Sequence, residues 1–457
     1  MRHSAQLALT APWIGHVHAM ELAAISALLD EEAGFAALVQ QDLEAACRKN
    51  PGTGRPGLTG EQVLRMAVAR QLNDWTYAEL AFHLADSVSY RTFCRVETLK
   101  APPSKSAVAA NIRAVRPRTL AALNDLLVTG AAARVVESGQ TVRIDATVVP
   151  VTIHPPTDST LLLDGIRVLE RLLKRADHLA GFTAYHRHRR RAKRRVLEIQ
   201  HLAPRATVRR RAAYRDLLAL AQATNDYATC ALAHVELLLT PASPRALQRL
   251  RRLRRLQHQL VEILPLVEQV IAQTTRRVLH GEAVPAPEKL VSLFEPHADV
   301  LVKDRRETYY GHKIFLTGGT SGLILDCAIP KGNPGDVTWA MPLLKRQQRL
   351  YGRAPRQASF DGGFASRDNL RAAKALGVRD VCFAKKRGLA VLDMVRSSWV
   401  YRKLRDFRAG IESVISFLKR VCGLTRCIWK GAVAFHAYVR TAVLAANLLT
   451  LARHRLA

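Results

Sequence analysis

The chain has 457 residues, enough for two or three domains with a sizeable core. Its 69 Lys and Arg against 38 Asp and Glu give a formal charge of +31, while 48% of residues are hydrophobic. This combination excludes a disordered basic tail and points to folded domains that meet a polyanion, nucleic acid ahead of an anionic membrane surface.

The first 135 residues read as short helices. Thr59-Gly-Glu-Gln62 and Thr76-Tyr-Ala-Glu79 match the capping box, and each precedes an apolar-periodic stretch. Residues 76–85, 87–94 and 104–115 predict three short helices, with Ala101-Pro-Pro103 as a break before the third. The pattern is compatible with a helix-turn-helix over 76–115 whose last helix carries Lys105, Asn111 and Arg113 toward a DNA groove. An ordinary small helical bundle gives the same pattern.

Residues 140–153 switch to β-branched alternation, Thr141-Val-Arg-Ile-Asp145-Ala-Thr-Val-Val149, a strand with an acid in its middle where acids are disfavoured. From 157 to 297 the pattern is helical and basic, and residues 165–255 carry 22 Lys and Arg against 6 Asp and Glu. The densest runs hold Arg189, Arg190, Arg191, Lys193, Arg194 and Arg195, then Arg209, Arg210 and Arg211, then the arginines from Arg249 to Arg255. Leu247, Leu250, Leu253, Leu256 and Leu260 give the last run one apolar face and one arginine face. With few acids nearby to pair them, these cations are expected to meet phosphates; a solvated helix or a short coiled-coil seam is the alternative.

After residue 300 strand signals return. Residues 310–317 and 323–329 predict strands joined by a hairpin at Gly318–Gly322, followed by a helix at 335–351 and a short strand at 357–360 that ends on Asp361-Gly-Gly363. A helix at 366–376, a strand at 379–385, a basic loop, the helix around Glu412 and a mostly apolar helix at 431–453 complete the chain. With the basic block removed, the order is β-β-β-α-β-α-β-α, that of a ribonuclease H-like α/β fold with a mixed sheet. The expected organisation is a helical DNA-binding region over 1–135, a catalytic domain of 136–156 with 298–457, and a basic helical insertion over 157–297.

In such a sheet the strand of Asp145 adjoins the strand that ends at Asp361, and the helix bearing Glu412 packs across both. At 100° per residue, positions 408, 412 and 419 fall at about 0°, 40° and 20°, so Arg408, Glu412 and Lys419 share one stripe. Phe407, Ile411, Val414 and Leu418 cluster to one side, and Phe417 points away from both groups. Three gathered carboxylates repel one another unless cations neutralise them, and hard oxygen ligands suit Mg²⁺ or Mn²⁺. Two such ions would activate a water or a 3′-hydroxyl for in-line attack on a phosphodiester. Gly362 and Gly363 would let nucleic acid approach closely, and Arg408 and Lys419 could hold flanking phosphates.

Asp145, Asp361 in Ser-Phe-Asp-Gly-Gly, and Arg408-x3-Glu412-x6-Lys419 resemble the DDE motif of bacterial insertion-sequence transposases, in particular the group whose third motif reads Tyr-x2-Arg-x3-Glu-x6-Lys. Gly54-Arg-Pro-Gly57 and Ile153-His-Pro-Pro-Thr-Asp158 make the chain look closest to the ISNCY group, over about residues 50–450. Arg405 stands at the motif's Tyr position. The resemblance implies that Asp145, Asp361 and Glu412 are catalytic metal ligands for Mg²⁺ or Mn²⁺, in two ions, and that Arg408 and Lys419 contact DNA near the transposon end. It implies binding to terminal inverted repeats, strand cleavage and strand transfer by a homodimer or larger assembly on double-stranded DNA. A transposase-derived DNA binder without catalysis, or a nuclease without strand transfer, is the alternative.

Among the other acids, Asp158, Asp164 and Asp336 are expected to cap helices and Asp304 and Glu307 to be surface charge, with Asp326 the replacement should Asp145 point away. The seven cysteines are scattered without a CxxC pair, which argues for free buried thiols. His186, His188 and His201 lie among arginines, which would repel a metal cation. No apolar run reaches the roughly 18 to 20 residues of a bilayer span, the best being Thr441–Ala452. A cytoplasmic, nucleoid-associated protein without a membrane partner is expected.

Overall fold

The computed structural model describes residues 16–46, 57–97, 100–239, 247–303 and 307–457. Cys47, Gly54, Arg55, Pro56 and Asp304 lie outside them. The chain divides into two units, one made of Met1–Thr152 with His312–Ala457 and one of Ile153–Gly311.

The first unit begins with α1 (Val17–Glu31), α2 (Ala33–Ala46), α3 (Gly60–Leu72), α4 (Tyr77–Asp86), α5 (Val88–Phe93), α6 (Lys105–Ala114) and α7 (Pro117–Ala133). Both expected capping boxes form: Thr59 with Gln62 opens α3 and Thr76 with Glu79 opens α4. The first strand, β1 (Thr141–Pro150), follows.

The second unit contains α8 (Asp158–Ala180), α9 (Arg189–His201), α10 (Thr207–Leu237) and α11 (Leu247–Thr274), whose inward faces form one continuous apolar core. Leu253, Leu256 and Leu260 are buried in it as expected, whereas Leu247 is exposed, because the apolar seam closes only from the second turn of α11. Then come β2 (Asp299–Lys303) and β3 (Glu307–Gly318), antiparallel with Asp299 opposite Gly311 and Lys303 opposite Glu307. β2 is a strand more than the sequence pattern predicts.

The later part of β3 returns to the first unit, followed by β4 (Ile324–Ala328), α12 (Ala340–Tyr351), β5 (Gln357–Phe360), α13 (Arg367–Ala375), β6 (Asp380–Phe383), α14 (Val391–Met394), α15 (Ser398–Arg420) and α16 (Ala432–Leu456). The strand order is β2-β3-β1-β5-β6, with β4 paired to β3. β1, β5 and β6 are mutually parallel and β3 and β4 antiparallel, which makes the sheet mixed.

α16 runs three residues beyond the expected end of the last apolar helix. By length and composition it could cross a membrane, yet 72% of its most apolar window is buried inside the protein. Its polar contacts explain that placement. The amide of Asn447 donates to Asn124 on α7 (2.7 Å) and to the Ile324 carbonyl of β4 (2.8 Å), and its Oδ1 accepts from the Ile324 amide (2.8 Å). A buried amide so fully paired fixes the helix against α7 and the sheet.

Candidate active site and basic helical face

Parallel pairing of β1 with β5 places Thr141 opposite Gln357 and Ile144 opposite Phe360. Asp145, in the middle of β1, and Asp361, just past the end of β5, are each one residue further on and therefore lie side by side on neighbouring strands. α15 is stitched across them by side chains that reach its backbone. Arg143 donates to the Phe407 carbonyl (3.2 Å) with its guanidinium over the Phe407 ring, and the Ser359 hydroxyl donates to the Leu404 carbonyl (2.9 Å). Gly410 makes room for Arg143, since a Cβ there would lie 2.1 Å from Nη1.

This docking brings Arg408 between the acids. Its Nη1 lies 3.1 Å from Asp145 Oδ2 and 3.5 Å from Asp361 Oδ1, and its Nη2 lies 2.8 Å from Glu412 Oε1. One guanidinium thus ties together three carboxylates, from the middle of β1, the end of β5 and a helix, which suits a planar fork of five donors. The surroundings are graded: the side chains of Arg408 and Asp145 are 15% exposed, that of Asp361 43% and that of Glu412 66%. Burial, reinforced by the charges of Asp361 and Glu412, pushes the Asp145 carboxyl up to about 6, against the opposing pull of the Ala146 amide and Arg408. The Ala146 amide donates to Asp145 Oδ1 at 2.7 Å.

Lys419 lies two turns along the same face of α15, half-buried, and its carbonyl accepts from Thr425 (2.7 Å). Phe417, a misfit in sequence, lies against the guanidinium of Arg453. Arg405 is exposed and paired with Asp406 (3.5 Å). Two glycine expectations change. An ideal Cβ on Gly362 would lie 2.7 Å from Lys385 Cβ, and one on Gly363 would lie 2.5 Å from Asp336 Oδ2, so these glycines accommodate protein side chains.

The competing acids are engaged elsewhere. Asp326 is buried and accepts from Nε and Nη2 of Arg346, Nη2 at 2.6 Å. Asp158 pairs with Arg277 (2.9 Å), Asp164 with His154 (2.7 Å) and Asp336 with Lys313 (3.0 Å). None of the last three is a cap: Thr157 and Gly335 hold those positions, and Asp164 lies within α8. Among the described residues no cluster of three or more His, Cys, Asp and Glu could hold a metal ion as it stands. The described thiols are free and buried, except Cys230, which is exposed.

On α6, Lys105 is exposed, Arg113 lies over the Tyr77 ring, and Asn111 turns back to donate to the Ala107 carbonyl (2.7 Å), which removes it from any groove-reading role in this conformation. In the second unit the expectation of unpaired arginines holds in part. Arg191 and Arg195 both grip Asp216, Arg195 and Arg209 pair with Glu198, and Arg210 donates to the carbonyls of Leu202, Ala203 and Pro204 that follow α9. Two acids supply what composition seemed to deny. The side chains of Arg189, Arg190, Lys193, Arg194 and Arg211 are exposed or half-buried and make no ion pair among the described residues.

Two family models match parts of this chain. Residues 301–448 match the family model described as Transposase DDE domain, and residues 15–114 match that described as Transposase domain (DUF772). The first match contains Asp361, Arg408, Glu412 and Lys419, and the second contains Lys105 and Arg113; Asp145 precedes the first. No curated protein and no solved structure matches the chain. Two transposase matches on one chain with a mixed sheet support a DDE-type transposase of the insertion-sequence kind.

Proposed function

We propose that the chain is a DNA transposase that binds the terminal inverted repeats of its own element, cleaves strands at the ends and transfers them to target DNA. In this reading Asp145, Asp361 and Glu412 form the catalytic centre of a ribonuclease H-like domain interrupted by the basic helical unit. The observation that carries it is the convergence of these acids on Arg408, within or beside a region that matches a DDE transposase domain.

The donor set fits a hard divalent cation: three carboxylates, one of them buried enough to be held out of its ordinary ionisation range. Asp145, Asp361 and Glu412 would hold Mg²⁺ or Mn²⁺, which supplies Lewis-acid activation of the attacking oxygen and charge stabilisation of the leaving oxygen. The chain's own groups do the rest. Asp145, fixed by the Ala146 amide, orients one carboxylate oxygen toward the site. Arg408 competes for the same oxygens, and once turned outward its guanidinium suits a phosphate bidentately. Exposed cations on α9 and α10 supply sequence-independent backbone contacts, and joining two ends calls for a dimer or larger assembly on DNA.

The test is Asp361→Asn with a duplex carrying the inverted repeats that flank the reading frame. The variant is expected to bind that duplex with affinity that falls steeply with salt, and to lose Mg²⁺-dependent cleavage. Full cleavage by the variant, or reading-frame flanks without inverted repeats, overturns the assignment.

A further inference from the structure

We infer that Lys385 is a further phosphate-contacting residue of this site, a cation supplied by the third parallel strand, and that Gly362 is glycine in order to admit it. The register of β5 with β6 sets Phe360 opposite Phe383, and the Ala384 amide donates to the Phe360 carbonyl (3.0 Å). The chain leaving β6 therefore runs alongside the chain leaving β5, and Lys385 comes level with the residues that follow Asp361. Its stem crosses Gly362: an ideal Cβ there would lie 2.7, 2.8 and 3.1 Å from the Cβ, Cγ and Cδ of Lys385. Real Cβ atoms do not approach that closely, and these are the near atoms of the side chain, so the stem could not remain in place above an alanine.

Lys385 is exposed, and its ammonium has no ion pair or hydrogen bond among the described residues. The two basic residues beside it differ. Lys386 lies over the Tyr401 ring, and Arg387 takes a left-handed backbone at φ +46° that turns the chain before Gly388. Arg408, the cation between the acids, is bound to all three. Lys385 is thus the cation on the strand ends left available for a non-bridging phosphate oxygen, and a flexible ammonium serves there as a point charge.

This rests on the reading of the acids as a phosphodiester-cleaving centre, and the test separates the two. Salt-dependent binding of the end duplex and its Mg²⁺-dependent cleavage at saturating DNA are measured for Lys385→Ala, Lys385→Arg and Gly362→Ala. Losing one phosphate contact makes the slope of log affinity against log salt shallower by about 0.9. Lys385→Ala is expected to show that change with cleavage at least about tenfold slower, Gly362→Ala to reproduce both, and Lys385→Arg to restore the slope. Because position 385 is exposed, the thermal midpoint of Lys385→Ala should stay at the wild-type value. An unchanged slope and rate in Lys385→Ala overturns the inference. Cleavage by Asp361→Asn overturns the underlying reading instead, and the salt slope still decides for Lys385.

Discussion

The carboxylate site of the first unit and the arginine runs of the second use charge in opposite ways. Asp145, Asp361 and Glu412 are hundreds of residues or at least tens of residues apart in the chain, and the fold brings them onto one guanidinium. The basic runs of α9 and α10 are adjacent in sequence, and the fold separates them into groups with different work. Arg191, Arg195 and Arg209 brace the two helices through Asp216 and Glu198, while Arg190, Lys193, Arg194 and Arg211 stay available. Charge density along a chain therefore does not say which cations meet a ligand. The placement of a few acids does.

The comparison breaks most sharply at Arg408. If its role is to hold buried carboxylates together, Arg408→Ala strands Asp145 without its cation and should cost about 3 kcal/mol at neutral pH, the low end for a broken buried pair because Asp361 and Glu412 keep water. Denaturant unfolding in EDTA measures this. Arg408→Lys should recover only part, since one ammonium cannot span three carboxylates. A change near zero would mean that Arg408 behaves like a surface arginine.

Proton linkage sharpens the same point. Asp145, lifted chiefly by burial to about 6 from 3.8, binds its proton more tightly in the folded state than in the unfolded one. Its contribution to stability is therefore favourable at low pH and lost as pH rises from about 4 to about 6, by about 3 kcal/mol at 1.36 kcal/mol per unit. In EDTA, the wild type should lose that much stability across the window relative to Asp145→Asn, whose neutral amide does not titrate. Parallel stability curves for the two proteins would show that the carboxyl titrates normally.

Much of the site's frame was legible from local pattern. Period-2 β-branched residues mark β1, the capping boxes mark α3 and α4, and helical spacing places Arg408, Glu412 and Lys419 on one stripe. What holds the frame together was not legible. Arg143 shares a strand face with Asp145, and no local pattern announces that it reaches the backbone of α15. Gly410, a residue type that weakens an isolated helix, is the space Arg143 needs. Gly362 and Gly363 read as room for a ligand, and side chains from residues 385 and 336 fill that room. The five residues of β2 are too few to stand out against their neighbours. The side-chain misses are long-range contacts, invisible to a window of a dozen residues.

The smallest expected effects test the second half of the comparison, that the arginine face is partitioned. Removing an available cation should take away one phosphate contact, so Arg194→Ala should make the salt slope of duplex binding shallower by about 0.9. Arg195→Ala should leave the slope almost unchanged and slightly lower the thermal midpoint, because that guanidinium is held by Asp216 and Glu198. Asp216→Asn is the discriminating variant. It releases Arg191 and loosens Arg195, so it should steepen the slope by about one further contact while weakening the packing of α9 on α10. Equal slopes for Arg194→Ala and Arg195→Ala would mean that DNA draws both arginines out of their pairs, and the partition would then belong to the free protein alone.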